Sequence, residues 1–318
     1  MRRRKRTNAT KKADALLISD LHITDSPPIS RTDNYMQAQE TKLKFMRKLS
    51  EKNNNCPILC SGDIFDKWKA SPWLCAWACR HIPQNYLFIT IPGNHDLPGH
   101  SIKQYDKSAL ALLEQVCDCV HVLKDMGEEV DGMHITGVPA GQIEEFLPAL
   151  DSMKFPKAKT RALMLHELVW EKQKPVWAKS SYSAEEILDM FSKYFDLILT
   201  GDNHQSFMVK QGRTLLVNPG SMMRRTADQV DFQPKCYLYY SDSNTVKAVK
   251  LPIEKDVHDT THLDNKKERD GRITAYIEKM QGSWETGMSF KNNLEAFFAK
   301  NNTPKKVREI VWQAMEAN

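Results

Sequence analysis

A chain of 318 residues can hold one large α/β domain with an appendage, or two domains of about 150 residues each. With 41% hydrophobic and 27% charged residues it has the composition of a water-soluble globular protein. No uninterrupted apolar run approaches the ~18 residues of a membrane span, which argues against insertion. Residues 1–12 hold seven of the 45 Lys and Arg and no acid, so the rest sets 38 bases against 40 acids, a net of −2. The overall +5 is thus carried by a basic tail, read as a solvated disordered end, with phosphate binding or an import address as the alternative. No apolar segment follows its bases, so no secretory signal is expected. The expected compartment is the reducing cytoplasm of a bacterial or phage-infected cell, or the nucleus only in a eukaryote.

Seven cysteines, an odd number in a chain long enough to need no stapling, argue against a full disulfide framework. Cys56/Cys60 and Cys75/Cys79 share a four-residue offset, but zinc knuckles use tighter spacing, and Cys56 and Cys60 flank an apolar Pro-Ile-Leu run. Buried, inert thiols are expected there.

In chain order, Ala15–Ser19 reads as a strand ending at Asp20-Leu-His22, and a Pro-containing loop runs to Arg31. Met36, Leu43, Met46 and Leu49 fall at helical offsets within a helix over 36–52. A short run over 57–60 meets Ser-Gly-Asp63, residues 72–80 suit a helix, and a β-rich run over 86–91 ends at Pro-Gly-Asn94-His95-Asp96. Strands follow at 119–123, 133–138 and 161–165, the last ending at His166. Ser183-Ala-Glu-Glu186 is a capping box that opens a helix to about Phe195. Leu197–Thr200 leads into Gly201-Asp202-Asn203-His204, and a hairpin over 236–240 and 246–251 closes the domain. Residues 254–290 are polar, with a linker expected over 260–272. Leu294–Phe298 and a helix over 305–317, with Thr303-Pro304 at its start, end the chain. Alternating strand and helix is the pattern of a layered α/β domain.

Five strand-like runs end in residues able to hold a metal: Asp20 and His22, Asp63, Asn94 with His95, His166, and Asp202 with His204. In an α/β sheet the C-terminal ends of parallel strands face one crevice, so groups far apart in sequence meet at one place. Carboxylates, an amide oxygen and imidazoles, without thiolate, suit Mn²⁺, Fe²⁺ or Zn²⁺, and Mg²⁺ less well. Two cations roughly 3.5–4 Å apart need a shared anion, and Asp63 is the natural bridge.

These motifs resemble the calcineurin-like metallophosphoesterases, whose pattern is D-x-H, G-D-x-x-D/E, G-N-H-D/E, an isolated His and G-H-x-H. They stand here as Asp20-Leu21-His22, Gly62-Asp63-Ile64-Phe65-Asp66, Gly93-Asn94-His95-Asp96, His166 and Gly201-Asp202-Asn203-His204, in order over residues 16–221. The resemblance implies an α/β fold, a layered β-sandwich flanked by helices, with a small C-terminal helical appendage. It implies one metal on Asp20, His22, Asp63 and His204, a second on Asp63, Asn94, His166 and Asp202, with Mn²⁺ the foremost candidate. His95 would be catalytic, donating to the phosphoryl group or to the leaving oxygen, and Asp66 and Asp96 would orient the loops. One departure stands out: Asp202 takes the place of the family's first histidine in the last motif, which adds negative charge and puts the second metal in question.

Asn218-Pro-Gly-Ser-Met-Met-Arg-Arg225 with the strand pair after it is similar, more loosely, to the close of SbcD-type DNA-repair nuclease subunits. That likeness implies hydrolysis of DNA, as ends or single strands, an SbcC-type coiled-coil ATPase partner and a homodimer. Arg224 and Arg225 would be nucleic-acid contacts or plain solvated bases. A small phosphoester substrate, or a catalytically weakened assembly subunit, are the alternatives. The expected organisation is a tail over 1–12, a catalytic domain over 13–255, and a linker with a helical accessory region over 256–318. His81, His121 and His134 are expected to be structural, His258 and His262 solvated. Trp68, Trp73 and Trp77 could stack on bases, although Trp73 and Trp77, four apart, suit core packing better.

Overall fold

The computed structural model describes residues 11–83, 87–124, 127–175, 178, 180–259 and 290–316. Its first sheet grows from short strands, the first three wholly buried: β1 (Ala15–Ile18), β2 (Ile58–Cys60), β3 (Phe88–Thr90) and β4 (Val120–Val122). All four run parallel, in register Leu16↔Ile58, Ile58↔Phe88 and Phe88↔Val120. Parallel strands need crossovers, and these are supplied by α1 (Tyr35–Lys52), α2 (Pro72–His81) and α3 (Ala109–Val116). Asn34, Ser71 and Ser108 each accept a backbone N–H as N-cap of those helices.

The second sheet repeats the plan. Between β5 (Gly127–Val130), β6 (Met133–Val138), β7 (Thr160–Leu165), β10 (Leu197–Thr200), β11 (Phe207–Gln211) and β12 (Thr214–Asn218), the order is β11-β12-β10-β7-β6-β5. Its four inner strands are parallel and both edges antiparallel. The two-residue strands β8 (Val169–Trp170) and β9 (Tyr182–Ser183) pair with each other. β13 (Lys235–Tyr240) returns to the first sheet antiparallel to β1, and β14 (Thr245–Lys250) forms its edge.

Alternation along the strands sorts side chains into three apolar layers. Leu17, Leu59 and Ile89 face Ile135, Met164, Leu199 and Val217 between the sheets. Leu16, Ile18, Ile58 and Phe88 pack with Leu43, Met46, Leu74 and Leu113 of the first sheet's helices. Leu163, Leu165, Ile198 and Leu216 pack with Ile143 of α4 (Ile143–Leu150) and with Ile187 and Phe191 of α5 (Ala184–Phe191). The result is the helix–sheet–sheet–helix form of the metallophosphoesterase fold. Strands buried on both faces carry near-continuous apolar runs, which is why β1 and β10 stand out in the sequence.

The chain divides into two units, Met1–His258 and Asp259–Asn318. In the second unit, α6 (Phe290–Lys300) and α7 (Lys305–Glu316) form a helix pair in which Leu294, Phe297 and Phe298 pack against Val311 and Trp312. Residues 1–10, the expected linker over 260–272 and His262 lie outside the described residues.

Several expectations are corrected. The capping box of Ser183 and Glu186 forms, but α5 stops at Phe191; Phe195 is then buried by a further turn. Cys79 and Cys117 are not free thiols but form a disulfide linking the ends of α2 and α3, a pairing 38 residues apart that sequence spacing does not reveal. Cys56, Cys60 and Cys75 are free and buried, as expected, and so is Cys236. Trp77 is buried and stacks on His81, but Trp73, in the first turn of α2, is 54% exposed. His258 is not solvated: its backbone pairs with Arg31 and both ring nitrogens are shut from solvent. Among the described residues, no helix is long and apolar enough to cross a membrane.

Candidate metal centre

Each candidate ligand sits just past the C-terminal end of a parallel strand, and the two sheets bring those ends together. Asp20 and His22 follow β1, Asp63 follows β2 and Asn94 follows β3; His166 follows β7, and Asp202 and His204 follow β10. The sheets join here through Asp202 N–H, which donates to Asp20 Oδ1 at 3.2 Å, and through His166 Nε2, 3.5 Å from Asp63 Oδ1.

Asp20, His22, Asp63 and His166 form a buried floor. Asn94, His95, Asp202 and His204 form a half-buried edge above it. His22 Nε2 lies 3.1 Å from His204 Nε2, 3.5 Å from Asp63 Oδ2 and 3.9 Å from Asp20 Oδ1. His204 Nε2 lies 3.8 Å from Asp20 Oδ1. On the other side, His166 Nε2 is 2.9 Å from Asn94 Oδ1. Three overlapping groups gather within one cation's reach: Asp20 with His22 and His204, His22 with Asp63 and His95, and Asp20 with Asp63 and His166.

Two observations test whether these residues fit metals. Ligand atoms on one cation, with bonds of ~2.0–2.2 Å, stand about 3 Å apart, close to the His22–His204 and His166–Asn94 separations. In addition, Asp63 Oδ2 is buried without a hydrogen-bond partner, a costly state that a cation relieves. The donor set of oxygens and imidazoles therefore fits divalent ions, with Asp63 common to two of the three groups.

Electrostatics agree. Burial, followed by the charge of Arg225 and the nearby imidazoles His204, His95 and His166, holds His22 well below the usual histidine range, so it is neutral and able to ligate. Burial also opposes charge on His166, but Asp63, Asp20 and Asp202 overcome it and push His166 up to about 9. In the metal-free protein a proton on His166 thus takes the place of a cation. Burial raises Asp63.

The surrounding hydrogen bonds fix the imidazoles. His166 Nδ1–H donates to the Ser61 carbonyl at 2.6 Å, which turns Nε2 toward Asn94 and Asp63. His95 Nδ1–H donates to the Asp66 carbonyl at 2.7 Å, while His95 N–H donates to Asp63 Oδ1 at 2.9 Å. The Asp66 carboxylate stands 3.7 Å from His22 Nδ1 and is held by Arg225. Asp96 takes three backbone N–H groups, those of Ile64, Phe65 and Gly93.

The segment after the last motif is a brace. Gly220, at φ +75°, passes under His204, Ser221 N–H donates to the His204 carbonyl at 3.2 Å, and Met222 N–H donates to the Asp20 carbonyl at 3.0 Å. Asn218 Nδ2 donates to the carbonyls of Asn203 and Gln205, both at 2.6 Å. Neither arginine is a freely solvated base. Arg224 is buried, with its guanidinium on the carbonyls of Val230 and Glu254, and Arg225 pairs with Asp66. Asn218 and the Asp66–Arg225 pairing were not assigned these roles from the sequence; only the likeness of residues 218–225 to the close of SbcD-type subunits marked the segment.

Residues 14–206 match the model of the family described as calcineurin-like phosphoesterase, and the chain belongs to that family. No curated protein matches. Among solved structures, one titled a novel archaeal phosphodiesterase is 12% identical, with 74% of this chain and 99% of that chain covered and a TM-score of 0.40. Another, titled a putative 5'-nucleotidase from Staphylococcus aureus in complex with alpha-ketoglutarate, is 16% identical, with 80% of this chain and 58% of that chain covered and a TM-score of 0.43. The protein is a metal-dependent phosphoesterase by family and by its buried His/Asp site.

Proposed function

We propose that the chain hydrolyses phosphodiester bonds of DNA, as an SbcD-like nuclease subunit that works with a coiled-coil ATPase and forms a homodimer. The observation that carries the hydrolytic part is the half-buried edge of Asn94, His95, Asp202 and His204 over the buried floor of Asp20, His22, Asp63 and His166. That layering would hold metal from below and leaves one side for a phosphate group to approach from solvent. The choice of DNA is supported by the likeness of residues 215–252 to the close of SbcD-type subunits.

Asp20, His22, Asp63 and His204 would hold one divalent ion, and Asp63, Asn94, His166 and Asp202 the other. Such an ion pair supplies Lewis-acid charge and acidifies water. The protein does the rest. Asp63 keeps both halves of the site at one spacing, and its Oδ1 also fixes the backbone of His95. His95, oriented by the Asp66 carbonyl, donates a proton from its other ring nitrogen toward the phosphoryl or leaving oxygen. Asp66, clamped by Arg225, keeps His22 turned so that Nε2 faces His204.

Incubation of the purified chain with Mn²⁺ and end-labelled single- and double-stranded DNA tests the reading. Metal-dependent cleavage that vanishes in Asp63→Asn is expected. Robust turnover of small phosphoesters with intact DNA rejects the substrate, and no turnover of either rejects the enzyme.

A further inference from the structure

A second concentration of buried charge lies where α1 packs under residues 222–224 and 252–254. A cavity of about 110 Å³ there is lined by Arg31, Thr41, Lys42, Arg224 and Glu254, among others. Its three cationic side chains are all buried: Arg31 is 9% exposed, Lys42 4% and Arg224 6%. One carboxylate answers them, Asp33, which takes Arg31 Nε at 2.8 Å and an Nη at 2.6 Å.

The other two cations meet only neutral acceptors. Arg224 donates to the carbonyls of Val230 and Glu254. Lys42 Nζ donates to the Met222 carbonyl at 3.0 Å and to Met223 Sδ at 3.3 Å. Among the described residues neither forms an ion pair; Asp33 acts on both, and Asp231 on Arg224, only through space, and Glu254 reaches Arg224 through its carbonyl. Buried charge of one sign without a counter-charge is costly, and ordinary packing does not need it. His258, which feels the charge of Arg224 and Arg31, leaves both ring nitrogens buried and unpartnered. An anion would balance this excess of buried positive charge.

We propose that this cavity is a binding site for a single phosphate group, with Lys42 and Arg224 supplying its charge and Thr41 its exposed rim, while Arg31 stays on Asp33 and the Arg224 carbonyl and braces the wall. Arg224, with Lys42 held in its charged form once an anion lies beside it, suits the ≈ −1.5 to −2 charge of a phosphomonoester at neutral pH, and the guanidinium N–H groups not used on Val230 and Glu254 suit its oxygens. The cavity has room for one such group and not for a nucleotide. Free orthophosphate and the terminal phosphate of a nucleic-acid strand share this chemistry. The site is separate from the metal centre and does not depend on the substrate proposed above.

Calorimetric titration of the full chain with inorganic phosphate, with Mn²⁺ and again after EDTA, tests the site. The expected result is binding that survives EDTA and weakens at least tenfold in Thr41→Glu, which sets a carboxylate on the exposed rim without touching the core, and in Lys42→Met. A 5'-phosphorylated oligonucleotide that binds at least tenfold tighter than its 5'-hydroxyl twin in wild type, and not in Thr41→Glu, assigns the site to strand ends. Equal binding of the twins alongside the phosphate effect assigns it to free phosphate. Absence of phosphate binding after EDTA, or binding unchanged in a folded Thr41→Glu protein, overturns the proposal.

Discussion

The fully buried carboxylate of Asp96 offers the sharpest test of how the site is built, because it lies outside the candidate ligand groups yet joins two of the loops that carry them. Its Oδ2 accepts from Ile64 N–H at 3.2 Å and Gly93 N–H at 3.0 Å, and its Oδ1 accepts from Phe65 N–H at 3.0 Å. Asp96→Ala strands three buried donors at once. At about 1–2 kcal/mol for each, after the loops relax and water enters, the loss is roughly 3–6 kcal/mol. That is a large part of the ~5–15 kcal/mol that holds a typical domain folded. Urea unfolding measures it, and a parallel Mn²⁺ titration should show at least tenfold weaker binding, because Asp63 and Asn94 sit on the loops that come apart. Asp96→Asn keeps one acceptor oxygen but turns an NH₂ toward the donors, so it should recover less than half of the loss. An Asp96→Ala protein within ~1 kcal/mol of wild type and with unchanged Mn²⁺ affinity would refute the reasoning.

Gly220→Ala places a Cβ 2.6 Å from the His204 carbonyl at a residue with φ +75°, so ~1–3 kcal/mol of stability and part of the metal affinity should be lost, read by thermal melts with and without Mn²⁺. His95→Ala should retain about two Mn²⁺ per chain by elemental analysis while kcat falls ~10²–10⁴-fold; loss of metal along with turnover would contradict its role. Asp202→Ala should lower that count toward one, whereas Asp202→Asn should retain the fold and bind the second ion more weakly. Burial, then Arg31 and Arg224 against Asp33, pulls Lys42 down to about 7. Its folded value lies below the unfolded one of about 10.4, so in phosphate-free buffer the charge penalty is full below pH 7 and vanishes above pH ~10.4. Wild-type stability relative to Lys42→Met should therefore rise by up to about 4–5 kcal/mol across that window, and a flat difference would contradict the sign.

Much of this molecule was legible because parallel strands buried on both faces leave dense apolar runs that stop abruptly at polar loops. β6 and β10 were placed to the residue for that reason, and the loops after β1, β2, β3, β7 and β10 carried the ligand pattern. The antiparallel edge strand β11 was missed because only one of its five residues, Phe207, is buried, so it lacks such a run. The brace over 218–225 illustrates a different limit. Its likeness to nuclease subunits was visible, but Arg224 and Arg225 look like solvent-facing bases until the fold supplies the Val230 and Glu254 carbonyls and the Asp66 carboxylate. Long-range partners of that kind, like the Cys79–Cys117 bond, leave no periodic trace in the chain.

The backbone at four of the candidate ligands is left-handed: φ is +50° at Asp20, +46° at His22, +53° at Asp63 and +70° at Asp202. Among side chains that can hold a cation, aspartate, asparagine and histidine enter that region most readily, whereas longer or branched residues resist it. The turns themselves thus narrow the vocabulary of substitutions open to natural variation. An exchange between histidine and aspartate at 202 is conformationally cheap, so drift there can retune metal preference without rebuilding the loop, while glutamate or threonine at the same place would have to bend the main chain first.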